Sequence, residues 1–143
     1  MDWIIHYIID QPAPYPYLCN AHTHGMEHYH HMDFQIVLNL PNDHICYILN
    51  TLGHRVQNGE IFNDGDFVSG IYSDCNIRLK KVRETGRDVL RVIIPDTHNR
   101  FPDNPKCEEK YMHQDLKMFE NQHRSCPLIG TASFYANSSH FNT

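Results

Sequence analysis

Phe34-Gln35-Ile36-Val37-Leu38-Asn39-Leu40-Pro41 runs into Asn42-Asp43-His44-Ile45-Cys46-Tyr47-Ile48-Leu49-Asn50-Thr51-Leu52-Gly53-His54-Arg55-Val56, and the hydrophobic period changes at Pro41. Phe34, Ile36, Leu38 and Leu40 alternate with Gln35, Val37 and Asn39, so the first half reads as a strand with one apolar face. Ile45, Ile48, Leu49, Leu52 and Val56 recur every three or four residues, which suits a helix and no strand. Asn42 or Asp43 is the expected N-cap, and Asn58-Gly59 supplies a left-handed stop. Gly53 inside the helix costs about 1 kcal/mol relative to Ala.

Working outward, residues 3–9 form a short β-branched apolar run that reads as a buried strand. Pro12, Pro14 and Pro16 remove three N–H groups from the next five residues, so that stretch is a stiff connector. Residues 17–24 resume extended character, and Gly25 allows a turn. Downstream, residues 67–72 and 76–83 read as strands, with Val82 breaking the alternation and suggesting a bulge. Thr85-Gly86-Arg87-Asp88 has the residues of a tight turn, and Val89 to Ile94 is apolar enough for a strand covered on both faces. Residues 107–124 suit a second helix with Met112, Leu116 and Phe119 on one face. The order β-β-β-α-β-β-β-α implies a single α+β domain over 1–124, a mainly antiparallel sheet of about five or six strands with two helices packed on it. Residues 125–143 form a polar tail expected to be loosely ordered.

Composition narrows the function classes. The 143 residues are too few for a (β/α)₈ barrel, which needs roughly 250. A hydrophobic fraction of 41% and a charged fraction of 20% are those of a globular protein. With 12 Lys and Arg against 17 Asp and Glu, the net charge of −5 offers no basic face for nucleic acid. No run approaches the roughly 20 apolar residues of a membrane span, and the N-terminus lacks the basic region of a signal peptide. The 5 cysteines are odd in number and form no Cys-x-x-Cys pair, so reduced thiols in a cytoplasmic setting are expected. The sequence names no partner and is compatible with a homo-oligomer.

Asp2-Trp3-Ile4-Ile5, the proline-rich bend to Tyr17, the 34–41 strand with its helix, and Leu90-Arg91-Val92-Ile93-Ile94-Pro95-Asp96-Thr97-His98-Asn99-Arg100-Phe101-Pro102 together resemble the bacterial DUF4262 family. The resemblance covers roughly residues 2 to 114. Asn99 stands where a glycine is usual in the family, Cys107 fits its later cysteine, and His31-Met32-Asp33 corresponds loosely to its His-Pro-Glu. A helix before the first strand, and a longer insertion where this chain has Glu84-Thr85-Gly86, are family features missing here. The resemblance implies a fold and a cytoplasmic setting; no activity comes with it, and the other histidines of residues 22–31 are not a general family feature.

Those histidines are the candidate chemistry. Five of the 12 histidines, His22, His24, His28, His30 and His31, fall within ten residues that also hold Glu27. On a strand His22 and His24 point to the same side. Beyond Gly25, His28 would complete a three-ligand site for zinc or a similar divalent metal, with Glu27 as a fourth ligand or as the base activating a metal-bound water. Hydrolysis is the chemistry expected of such a site. The alternative is a non-enzymatic interaction module without metal, in which the histidines are solvated and Tyr15, Tyr17 and Tyr29 form a contact surface. His22-x-His24 with Glu27, and Gly65-Asp66-x-Val68 later, faintly resemble the two cupin half-motifs, but the helix between them does not belong to that fold. Cys19 near His22 invites a Cys–His nucleophile, although three residues apart on a strand the two face opposite sides. Asp96 and Arg100 flank the loop after the 89–94 strand, either as ligand-binding groups or as a local pair that fixes the loop.

Overall fold

The computed structural model describes residues 2–8, 18–84, 86–115 and 131–134. The alternating stretches form strands β1 (Ile4–Ile8), β2 (Leu18–His24), β3 (Asp33–Leu38), β4 (Phe67–Val68), β5 (Ile77–Glu84) and β6 (Arg87–Ile93). A seventh, β7 (Thr131–Phe134), lies within the stretch the sequence reading assigns to the tail and pairs antiparallel with β1. One open sheet results, in the order β4-β5-β6-β3-β2-β1-β7. Neighbours are antiparallel except β3 and β6, whose parallel pairing needs a crossover. Helix α1 (Asn42–Gln57) opens that crossover. The chain is thus a single α+β domain with a mostly antiparallel sheet, and the open sheet removes the cupin reading.

Helix α1 starts after Pro41, which stands at the N-cap (φ −55°, ψ 146°) in place of the expected Asn42 or Asp43. A proline can take this place because its preset φ suits a helix entrance and its missing N–H is needed by no intrahelical bond. At the other end Glu60 N–H donates to Arg55 O and Gly59 N–H to Val56 O, each at 2.9 Å, the paired bonds of a Schellman stop. Gly59 (φ +103°) takes the conformation a side chain would disfavour. Ile45, Ile48, Leu49, Leu52 and Val56 face the sheet and join Ile5, Ala21, Phe34, Ile36, Leu38, Leu79, Leu90 and Val92 in one buried cluster. Glu109–Met112 forms α2, starting two residues later than expected because Glu108 is the extended N-cap, and a 3₁₀ turn at His113–Asp115 follows; residues 116–124 of the expected second helix lie outside the described residues.

Trp3 locks the start of the chain onto α1. Its indole N–H donates to Asn50 Oδ1 at 2.9 Å, and its ring lies against Gly53, where a Cβ would stand 2.6 Å from Cζ2. Gly53 therefore costs helix propensity but makes room for the ring.

The sheet's other face is polar. Strand alternation places Asn20, His22 and His24 of β2, Asp33 and Gln35 of β3, Arg91 of β6, and Lys80, Val82 and Glu84 of β5 on the side away from α1. The β5–β6 register runs without a shift from Arg78↔Ile93 to Glu84↔Arg87, so the bulge expected at Val82 is absent from these strands. Val82 is apolar because this face is covered as well: Val82, Glu84, Gln35 and Arg91 are all buried. Among the described residues no helix is long and apolar enough to cross a membrane.

Gly53→Ala tests the Trp3 contact. Helix propensity alone would stabilise by about 1 kcal/mol, whereas overpacking costs about 1–3 kcal/mol. Urea unfolding should show a net loss of up to about 2 kcal/mol, and the loss should vanish in a Trp3→Leu background. A more stable Gly53→Ala protein would contradict the close packing.

Candidate metal centre

β1 and β2 pair so that His6 lies opposite His22 and Ile4 opposite His24. Period-two alternation then brings His6, His22 and His24 to one face, and one ring nitrogen from each lies within 4.8 Å of the other two. His22 Nε2 and His24 Nε2 are 3.1 Å apart, and the His6 ring centroid is 4.4 Å from that of His24. All three rings are half-buried. Burial, followed by the positive charge of Arg87, lowers the pKa of His6; the same two causes, with His6 third, lower that of His24. Both imidazoles are therefore held neutral at pH 7, the form that binds metal.

Buried groups hold His22 from behind. Its Nδ1 lies 3.0 Å from Asn20 Oδ1, which also accepts from Gln35 Nε2 at 3.0 Å. Gln35 Oε1 in turn accepts from Arg91 Nε at 2.8 Å. The remaining guanidinium nitrogens reach Glu84 Oε1 at 2.8 Å and Gln114 O at 2.9 Å.

The other residues expected at this site lie elsewhere. Gly25 (φ +130°) passes so close to the first strand that a Cβ there would meet Asp2 O at 2.3 Å, and it turns the chain into a 3₁₀ turn at Met26–Tyr29. Met26 is fully buried in the core, so this turn packs on the α1 side of the sheet. Glu27 and His28 are consequently exposed on its outer side, with His28 Nε2 4.0 Å from Asp2, and neither joins the cluster. His30 is the left-handed residue that ends the turn (φ 57°). His31 has a structural part: Nδ1 bonds Met32 O at 2.8 Å, and Nε2 accepts Phe62 N–H at 3.0 Å. Asp33 pins both ends of the connection, accepting from Thr23 Oγ1 at 2.7 Å, from Met26 N–H at 3.0 Å and from Arg87.

His6 is the ligand candidate that sequence reasoning missed. Its signal was its place in Ile4-His6-Ile8, the alternate set of a strand whose core face carries Ile5 and Tyr7. The partner strand and its register could not be read across the proline-rich connector.

Asp96 and Arg100 form the local pair. The buried Asp96 carboxylate accepts from the backbone N–H of His98, Arg100 and Glu108 at 2.9, 2.9 and 3.0 Å, and from Arg100 Nε at 3.0 Å. Burial alone would raise its pKa, but these bonds outweigh burial and hold it well below the usual carboxylate range. Asp96, His98 and Glu108 lie close enough to hold an ion, yet the Asp96 oxygens are already committed to four donors. Cys19 faces the core, its thiol directed at Ile36 O and Leu38 O; burial pushes its pKa up to about 12, which makes it a poor nucleophile. Cys19, Cys46, Cys75 and Cys107 are free thiols. Tyr29 O–H donates to Asp2, and Tyr15 and Tyr17 lie outside the described residues.

A family model, that of a domain of unknown function (DUF4262), matches residues 2–108. The chain belongs to the DUF4262 family. The match spans the three histidines, Asn20, Gln35, Glu84 and Arg91, and the Asp96 loop, while Gln114 lies beyond it. Asn99 has φ +61°, a left-handed conformation that asparagine tolerates better than most residues. Neither a curated protein nor a solved structure matches the chain.

An imidazole whose pKa is lowered by folding takes its proton after the unfolded chain has taken one. The stability of the metal-free protein should be full above the ordinary histidine value of 6.5 and fall as pH drops below it. Urea unfolding in chelator at pH 7.5 and 5.5 measures this. The loss should shrink in a His6→Gln/His24→Gln variant, and an equal loss in both proteins would contradict the assignment.

Proposed function

We propose that this protein binds one divalent transition-metal ion, zinc or a metal of similar imidazole preference, through His6, His22 and His24. The convergence of three half-buried imidazoles from two adjacent strands carries the reading. A tetrahedral zinc with bonds of about 2.0–2.1 Å sets its nitrogen ligands roughly 3.4 Å apart, so small ring rotations close the cluster on an ion. Low local polarity keeps His6 and His24 unprotonated, and Asn20 supplies the outer hydrogen bond that metal-bound histidines usually have. Three protein donors leave a position for water, and lowering the pKa of that water is what such a donor set contributes to hydrolysis. Hydrolytic chemistry is therefore the reaction class proposed for the site. Glu27 has no ligand role in this arrangement.

Untagged protein, stripped with chelator and titrated with zinc, should bind one ion per chain. His6→Ala, His22→Ala and His24→Ala should each weaken binding by at least about 10-fold, while Glu27→Ala and His28→Ala leave it unchanged. Undiminished zinc binding in the triple His→Ala protein, or no binding by the wild type, would overturn the proposal.

A further inference from the structure

We infer that Arg91 and Gln35 are positioning residues that set the tautomer of His22 through Asn20, leaving the His22 Nε2 lone pair for the ion; the consequence for metal rests on the reading above, the tautomer does not. A guanidinium can only donate hydrogen bonds. The side-chain atom of Gln35 that lies 2.8 Å from Arg91 Nε must therefore be its oxygen. The Gln35 amide nitrogen is then the atom 3.0 Å from Asn20, and because it only donates, Asn20 must present Oδ1. Oδ1 only accepts, so the ring nitrogen of His22 3.0 Å away carries the proton. A neutral imidazole has one N–H. The lone pair is thereby assigned to Nε2, the atom that meets His24.

This directionality follows from donor and acceptor chemistry alone. Arg91 and Gln35 are 0% and 1% exposed and Asn20 is 2% exposed, so solvent cannot reverse an amide by supplying the missing partner. The cavity that Asn20 and Gln35 border with His22, Glu84, Arg87 and Val89 measures about 10 Å³, room for a single water at most. Arg91 itself is held charged by Glu84, against the burial that lowers its pKa.

Two variants, each changing one NH₂ group to oxygen, separate the relay from mere packing. In Gln35→Glu the carboxylate accepts from Arg91 and also from Asn20, which must flip and present its NH₂ group to both neighbours. His22 Nδ1 then has to accept, and the proton moves to Nε2. In Asn20→Asp the carboxylate accepts from both sides as Oδ1 does, so the tautomer stays. Two-bond ¹⁵N–¹H correlation spectra of the metal-free proteins at pH 8 distinguish the two forms.

The relay expects His22 protonated on Nδ1 in the wild type and in Asn20→Asp, and on Nε2 in Gln35→Glu. Zinc affinity should fall about 10–100-fold in Gln35→Glu and be retained in Asn20→Asp. A wild-type His22 protonated on Nε2 overturns the inference even if a variant fails to fold. So does a folded Gln35→Glu protein whose His22 is still protonated on Nδ1. If the tautomers behave as stated while the wild type binds no zinc, the relay stands and the metal reading falls.

Discussion

A guanidinium buried in a sheet face must find acceptors for its N–H groups, and Arg91 imposes that requirement on the whole polar side of this protein. Stranding one partner of a buried ion pair costs about 3–5 kcal/mol, so Glu84 and Arg91 belong together on neighbouring strands. Gln114 meets a second demand, and its side chain also bonds both the N–H and the carbonyl of Ile94, tying the 109–115 segment to the end of β6. Gln35 meets a third. Each acceptor so recruited has its own remaining groups to satisfy, and that need carries a fixed polarity across β3 and β2 to His22.

The two faces of the sheet divide the labour. The α1 side is an apolar core closed by Trp3 over Gly53, and it leaves little freedom in the placement of β1. The opposite side uses that placement, because a β1 fixed in register puts His6 opposite His22. A slip of one residue would turn His6 to the other face and dissolve the cluster. Packing on one side thus sets the ligand geometry on the other. The Thr23–Asp33–Arg87 contacts hold the far end of β2, where His24 sits.

Much of the fold was legible because its signals are local. The change of period at Pro41 marks β3 and α1, and the apolar run at Val89 to Ile94 marks a strand buried on both faces. The buried polar face was not legible, because Gln35 in an alternating strand reads as a solvent-facing residue. Only the presence of Arg91 on the neighbouring strand β6, directly beside Gln35, explains its burial. The site was half legible: His22 and His24 share a face by strand geometry alone. His28 and Glu27 are close in sequence but lie beyond a turn that crosses to the α1 side. His6 is close in space, yet its register depends on the connection from β1 to β2.

The most direct test of the account is an anomalous-scattering map at the zinc edge from crystals of untagged protein grown with one equivalent of zinc. A peak bonded at about 2.0–2.1 Å to His6, His24 and the Nε2 atom of His22 is the predicted result, with Asn20 still against Nδ1. A peak at His28 or at the Asp96 loop, coordination through His22 Nδ1, or no peak would contradict it.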